Sequence, residues 1–365
     1  MSVTYINARV FTGEEILDDH AVITFQGKIA SIVPVAELAL TGNETDLKGA
    51  LLAPAFMDLQ IYGGNGHGFS LYPSVTALAA TVAYSKSGGA AWIMPTVATI
   101  SPGIMLEAMK AVRAYQEQGG EGVLGLHLEG PFINPAKKGA HLEQYIHPPT
   151  QEDIDWILDN GRDVVKIMTL APECCDPELV RQLAAAGITV FAGHSNATYA
   201  QAYTAFNSGI RRATHLFNAM SPLESRAPGI VGAIYDHPEV CASIVADGYH
   251  VDFAAIRISK KIMKERLFLI TDAIEENREG GYVYIRKDDR YVSATGVLSG
   301  SCLTMTKAVR NCVEKVGIPL EEALRMASLY PSRAIGREHT FGRIATGYEA
   351  ALVAIDSNWA TTVYC

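Results

Sequence analysis

Val123-Leu-Gly-Leu-His-Leu-Glu129 is an apolar run that stops on a carboxylate. Three other runs stop in the same manner. Ile188–Ala192 passes through Gly193 into His194, Arg212–Thr214 delivers His215, and Leu267–Thr271 delivers Asp272. Near-continuous apolar runs read as strands covered on both faces, as in a parallel sheet between helices. A barrel of such strands gathers its carboxyl ends on one face, where ligands distant in sequence share a site.

From Leu52 onward, strand candidates alternate with helical stretches. The strands are Leu52–Gln60, Ala91–Thr96, Val123–Glu129, Val164–Thr169, Thr189–Ala192, Arg212–His215, Cys241–Ala246 and Leu267–Thr271. Helices are expected over Ser74–Ser87, Ile104–Gln118, Gln151–Asn160, Pro177–Ala186, Tyr199–Ser208 and Phe253–Lys264. Eight strands spaced in this way predict an α/β chain closed as a (β/α)₈ TIM-type barrel. The first fifty residues differ: Val3–Val10, Ala21–Phe25 and Ile29–Val33 are short β-type runs broken by Gly13 and by Gln26-Gly27. Beyond Asp272 come a polar segment, Glu275–Gly281, and a hairpin of Tyr282–Ile285 with Arg290–Ser293. Helices follow over Leu303–Lys315 and Leu320–Leu329, the second ended by Pro331, and Gly342–Ile344 and Ala351–Ile355 are β-like again. Residues 1–52 and 340–365 are therefore expected to build a small accessory β-sandwich from both termini, beside a metal-dependent catalytic barrel over 53–339.

With 48% hydrophobic and 19% charged residues in a chain of 365, an ordinary globular protein with ample core is expected. Thirty basic against 39 acidic residues leave a net charge of −9. That balance argues against nucleic-acid partners, which call for a basic footprint. An anionic small molecule stays open, because one well-placed arginine can hold it. Met1–Val10 lacks the basic start and apolar run of a secretory leader, and no apolar stretch is long enough to span a bilayer. The six cysteines (Cys174, Cys175, Cys241, Cys302, Cys312 and Cys365) form no C-x-x-C pair and read as reduced thiols. The expected compartment is the cytoplasm, with no membrane partner.

Imidazole nitrogen and carboxylate oxygen are the donors that zinc-type metals take, and a catalytic site keeps one position open for water. Glu129, His194 and His215 could supply three ligands, and Asp272 could move the proton of a metal-activated water. Taken singly, each is more often an ordinary polar residue. Four at strand ends favour a shared site.

Longer motifs surround these residues. His127-Leu-Glu-Gly-Pro-Phe-Ile-Asn-Pro135 continues through Lys137-Lys-Gly-Ala-His141, and is followed by Ala192-Gly-His-Ser-Asn196, Thr214-His-Leu-Phe-Asn-Ala-Met220 and Pro228-Gly-Ile-Val-Gly232. Ala246-Asp-Gly-Tyr-His-Val251, Ile270-Thr-Asp-Ala273, Leu298-Ser-Gly-Ser301 and Met326-Ala-Ser328 with Pro331 come next in order. Together they closely resemble the N-acetylglucosamine-6-phosphate deacetylases of the amidohydrolase superfamily, over nearly the whole chain.

The resemblance implies Glu129, His194 and His215 as ligands of one divalent metal ion, with zinc expected and iron or another transition ion as alternatives. It implies Asp272 as the general acid/base. Ala140, His141, Asn218, Ala219, Asp247, Gly248, Tyr249 and His250 would line the substrate pocket, with Leu298, Ser299 and Gly300 against the acetyl group. Arg226 sits where the family binds the 6-phosphate, and a guanidinium can make two charge-assisted bonds to such a group. The expected activity is hydrolysis of N-acetyl-D-glucosamine 6-phosphate to D-glucosamine 6-phosphate and acetate, by a homodimer.

Many amidohydrolases carry His-x-His on the first strand and bind two metals. Here Gln60 and Tyr62 stand in those positions, so one metal is expected; the resemblance implies a structural Asp58, with a weak second metal near Asp58 or Gln60 as the alternative. His67, in a glycine-rich loop, is left out as a substrate neighbour or solvated residue. His127 reads as barrel-interior support, and Lys137 and Lys138 shape the loop that presents His141. Two departures stand out. Ile274-Glu-Glu-Asn-Arg-Glu279 puts charge where the family has small residues and a proline, and Ala351 replaces an acidic residue near the C-terminus. Competing readings are a deacetylase of N-acetylgalactosamine 6-phosphate or a related N-acyl amino sugar phosphate, a non-catalytic sugar-phosphate binder, and a cyclic-amide hydrolase of the dihydroorotase type. The missing His-x-His weighs against the last.

Overall fold

The computed structural model describes residues 2–365. Eight parallel strands form one sheet in chain order: β1 Phe56–Ile61, β2 Ala90–Ala98, β3 Leu126–Glu129, β4 Val165–Leu170, β5 Thr189–Ala192, β6 Arg212–Ala213, β7 Cys241–Val245 and β8 Leu267–Ile270. All six residues of β1 and all four of β3 and β8 are buried, which accounts for the unbroken apolar runs: helices cover the outer face and side chains fill the inner one. Helices Val75–Ser87, Pro102–Glu117, Gln151–Gly161, Pro177–Ala185, Tyr199–Asn207, Gly229–Asp236 and Phe253–Met263 return the chain between strands. Their starts are written locally. Thr150 with Asp153 and Thr198 with Gln201 form capping boxes, each satisfying amides that the first turn leaves bare.

The barrel closes where β8 meets β1. Asp272 N donates to Gln60 O at 3.0 Å and Tyr62 N to Ala273 O at 2.8 Å. Lower in the seam, the Asp58 carboxylate accepts Thr271 N at 3.1 Å and the Thr271 hydroxyl. A side chain there does the work of ladder hydrogen bonds.

Both termini contribute to a second sheet, with spatial order Thr361–Tyr364, Leu352–Ile355, Leu51–Pro54, Ser2–Phe11, Ile16–Phe25 and Lys28–Pro34, and with Thr45–Asp46 beside Ser2–Phe11. It has its own core of Val10, Val22, Ile29, Leu52, Ile344 and Leu352. The expected single strand Leu52–Gln60 is two: Leu51–Pro54 pairs antiparallel with Leu352–Ile355, and the chain crosses into β1 at Ala55. Gly342–Ile344 is not a strand, although Ile344 is buried in that core and its amide bonds Thr12 O at 2.9 Å. Thr361–Tyr364 was absent from the expected strands. Pro331 does not end a helix but lies in the first turn of Leu329–Ala334, where a missing amide costs nothing.

A three-stranded flap, Ile285–Lys287, Arg290–Val292 and Leu298–Ser301, stands beyond β8. Its last strand is tied to that end of the barrel by Ser301 N on Asp272 O at 3.0 Å and Ile274 N on Ser301 O at 3.2 Å. Among the described residues no helix is long and apolar enough to cross a membrane.

Candidate active site at the carboxyl ends of the strands

Glu129 is the last residue of β3, while His194, His215 and Asp272 each lie two residues beyond β5, β6 and β8. All four are buried. The last three have positive φ, 47°, 31° and 54°, a left-handed backbone that costs a non-glycine residue about 1–3 kcal/mol. Turning the chain left-handed at the strand end keeps each side chain at the barrel mouth. Gly193 permits the approach: a Cβ there would stand 2.7 Å from the methyls of Thr169 and Thr214.

Glu129 Oε1 lies 2.9 Å from His215 Nε2 and 3.3 Å from His194 Nε2, and the two imidazole nitrogens are 3.1 Å apart. Donors at zinc-ligand distances around a tetrahedral cation stand about 3.3 Å from one another, so this triangle fits one. The donor atoms of Glu129, His141 and His194 also fall within 4.8 Å of each other, making His141 a rival for the third place. Hydrogen bonding separates the two. His141 Nδ1 faces the Thr99 amide at 3.2 Å, and an amide can only donate, so Nδ1 accepts and Nε2 carries the proton that points at Glu129 Oε2, 3.0 Å away. His194 is the opposite case: Nδ1 is 2.9 Å from the Lys137 carbonyl, so it carries the proton and Nε2 keeps its lone pair. His215 Nε2 is directed into the triangle, and its Nδ1 is buried without a partner among the described residues. Glu129, His194 and His215 are the set able to hold a metal, and His141 is a donor beside it.

Gln60 puts its side-chain amide between two carboxylates. Its Nε2 shares two protons among Glu129 Oε1 at 2.8 Å, Asp272 Oδ1 at 3.0 Å and Tyr62 Oη at 2.7 Å, while its Oε1 accepts the Thr214 hydroxyl. Tyr62 in turn donates to Glu129 Oε2. Burial alone would raise the Glu129 carboxyl, but the imidazoles around it, His194 first and then His141 and His215, hold it well below the usual range. Burial lifts Asp272 above the ordinary carboxylate range, against the pull of His215 and His250 and with help from Glu129. Burial also pushes the His141 imidazole down to about 4, keeping it neutral. His250 Nδ1 donates to Asp247 Oδ2 at 2.6 Å, which aims Nε2 at Asp272 Oδ2, 3.9 Å away.

These groups open on a cavity of 340 Å³, the size of a small-ligand site. The structure brings Ala140, His141, Asn218, Ala219, His250, Leu298 and Ser299 into its lining with Glu129, His194, His215 and Asp272. Asp247, Gly248, Tyr249 and Gly300 stay outside that lining, Asp247 acting through His250 and Gly300 packing on Ile274. Arg226 is on the exposed loop before Gly229–Asp236, also outside. Missed by sequence reasoning were Ile274, Tyr282 and Tyr284, which form an apolar wall. Their aromatic alternation, Tyr282-Val-Tyr284, was the available signal.

Residues 52–364 match the model of the amidohydrolase family, and residues 4–52 match a NagA composite domain. The chain belongs to the amidohydrolase family. This amidohydrolase is 37% identical to an N-acetylglucosamine-6-phosphate deacetylase of Haemophilus influenzae, over 98% of its own length and 96% of the relative's. It is 33% identical to an N-acetylgalactosamine-6-phosphate deacetylase of Escherichia coli O157:H7, over 96% and 94%. A crystal structure of an N-acetylglucosamine-6-phosphate deacetylase from Pasteurella multocida superposes with a TM-score of 0.95 at 36% identity, covering 99% of this chain and 97% of that one.

Proposed function

We propose that this amidohydrolase cleaves the acetamide of N-acetyl-D-glucosamine 6-phosphate, releasing acetate and D-glucosamine 6-phosphate. The observation that carries the reading is Glu129 Oε1 facing two imidazole nitrogens at 2.9 and 3.3 Å, with Asp272 in the same cavity. Glu129, His194 and His215 would hold one divalent ion, zinc by donor set, which when bound polarises a carbonyl and makes water acidic near neutral pH. Asp272, raised by burial, takes the proton of the attacking water and returns it to the sugar nitrogen as the C–N bond breaks. His141 offers its Nε2 proton to developing charge on the acetyl oxygen, and His250, steadied by Asp247, faces Asp272 from the other side. Leu298 and Ser299, with Ile274, Tyr282 and Tyr284, receive the acetyl group and sugar ring.

Lys137 is the only lysine or arginine in the cavity lining among the described residues. Arg226, outside the cavity, keeps the 6-phosphate role that its place in the family motif implies, exercised across a subunit contact in a homodimer. Leu223 and Tyr249, 53% and 46% exposed, supply apolar surface such a contact would cover. The reading places the enzyme in the cytoplasm and divides the chain into an accessory domain, residues 1–52 with 340–365, and a catalytic domain over 53–339. Leu223→Glu should convert the dimer to a monomer by light scattering and raise KM for the phosphorylated sugar.

Acetate release from N-acetylglucosamine 6-phosphate, its galacto epimer and unphosphorylated N-acetylglucosamine, after metal analysis, tests the function. The highest kcat/KM is expected for the first. A preference for the epimer, which the E. coli relative's name makes the second reading, would change the substrate. No acetate from any sugar with metal-replete protein would leave a binding protein. Equal rates with and without phosphate would remove the role of Arg226.

A further inference from the structure

The loop after β4 delivers a carboxylate that no step of the reaction uses. Glu173, half-buried, is carried by the turn Pro172–Cys174 between the β3 and β5 ends. Its Oε1 accepts Asn134 Nδ2 at 2.9 Å and Asn196 N at 2.6 Å, and its Oε2 accepts the Ser195 hydroxyl at 2.7 Å. One side chain thus grips the loop after β3 and the loop after β5.

Both loops determine the state of His194. Ser195 and Asn196 follow it directly, and its own φ is 47°. On the other side, Asn134 N holds the His194 carbonyl at 3.0 Å. Asn134 Oδ1 caps the turn Pro135–Lys137, and the Lys137 carbonyl of that turn takes the His194 Nδ1 proton at 2.9 Å. Without Glu173, the Asn134 amide on one side of His194 and the Ser195 hydroxyl and Asn196 amide on the other lose the partner they share.

We propose that Glu173 is a positioning residue for the metal centre: it fixes His194 in its strained backbone and in the tautomer whose Nε2 lone pair faces Glu129. The inference rests on His194 being a metal ligand. Groups that orient a ligating histidine typically contribute 10- to 100-fold in metal affinity. Glutamine keeps an acceptor for Asn134 and Asn196 and can present its amide to the Ser195 oxygen, whereas alanine keeps nothing.

The test is the zinc dissociation constant of the full-length protein, measured by competition with a chromophoric chelator, together with the unfolding temperature of the metal-free form. Glu173→Ala should weaken zinc about 10- to 100-fold, and Glu173→Gln should recover most of that loss. The metal-free unfolding temperatures of the two variants should differ little. Zinc affinity within twofold of wild type in Glu173→Ala overturns the proposal, as does a glutamine variant no better than alanine. A shared fall in metal-free stability with affinity unchanged also overturns it, because that is a purely structural role. Should Glu173→Ala fail to fold, Asn134→Ala removes one arm of the clamp and must weaken zinc several-fold. His194→Ala separates the two readings. If it keeps wild-type affinity, the ligand assignment itself falls; if it loses zinc while Glu173→Ala does not, only the clamp falls.

Discussion

Gln60 and Asp272 are joined by a 3.0 Å hydrogen bond, and that bond decides what each can do. The amide nitrogen lies between two carboxylates, Glu129 and Asp272, which would otherwise repel each other or draw a second cation. Wild-type protein should therefore carry one metal per chain by atomic emission, and Gln60→His combined with Tyr62→His should raise that ratio to two. A ratio that stays at one would mean the block lies elsewhere. Asp272, the proposed proton carrier, keeps its Oδ2 outside that bond. Asp272→Asn should lower kcat by about 10²- to 10⁴-fold with metal content and circular dichroism unchanged. Retained turnover would exclude Asp272 as the proton carrier.

At the scale of elements, the strand ends were readable because strands buried on both faces are mostly apolar, so a residue able to bind a metal or move a proton stands out where such a run ends. That reasoning located Glu129, His194, His215 and Asp272. It could not reach features made by partners distant in sequence. The split of Leu51–Ile61 between two sheets depends on where Leu352–Ile355 lies, and the third strand of the flap depends on Tyr291 finding Gly300. The donor role of His141 came only from the Thr99 amide, 42 positions away. The flap itself is held over the cavity by Tyr282, whose hydroxyl donates to Thr99 O at 2.6 Å. Tyr282→Phe leaves that carbonyl bare, at a cost of about 1 kcal/mol. The expected result is a raised KM with little change in kcat, and faster proteolysis within 275–297. Unaltered KM would separate the flap from substrate binding.

The whole barrel depends on its seam, and there Asp58 links stability to pH. Burial pushes its carboxyl up to about 7, against hydrogen bonds from Thr271 and Gln60. Between its ordinary 3.8 and about 7, the folded chain holds a proton that the unfolded chain has released. This contribution to stability is complete below the lower value and is lost as pH rises through the upper one, by up to about 4 kcal/mol. Urea unfolding of metal-free protein at pH 5 and pH 7.5 should show the decline, and Asp58→Asn should flatten it. An unchanged slope in the variant would place the proton on another group.

The sheet shared by both termini has a consequence in time. Leu51–Pro54 leaves the ribosome with one neighbour, Ser2–Phe11, and its other edge waits for Leu352–Ile355. At ordinary elongation rates that wait is roughly 15–60 s, during which an apolar strand edge is open to any other extended chain. The barrel is synthesised entirely within this interval. A growing chain of this design would need that edge shielded, by chaperone or by transient local pairing, until its final strands arrive.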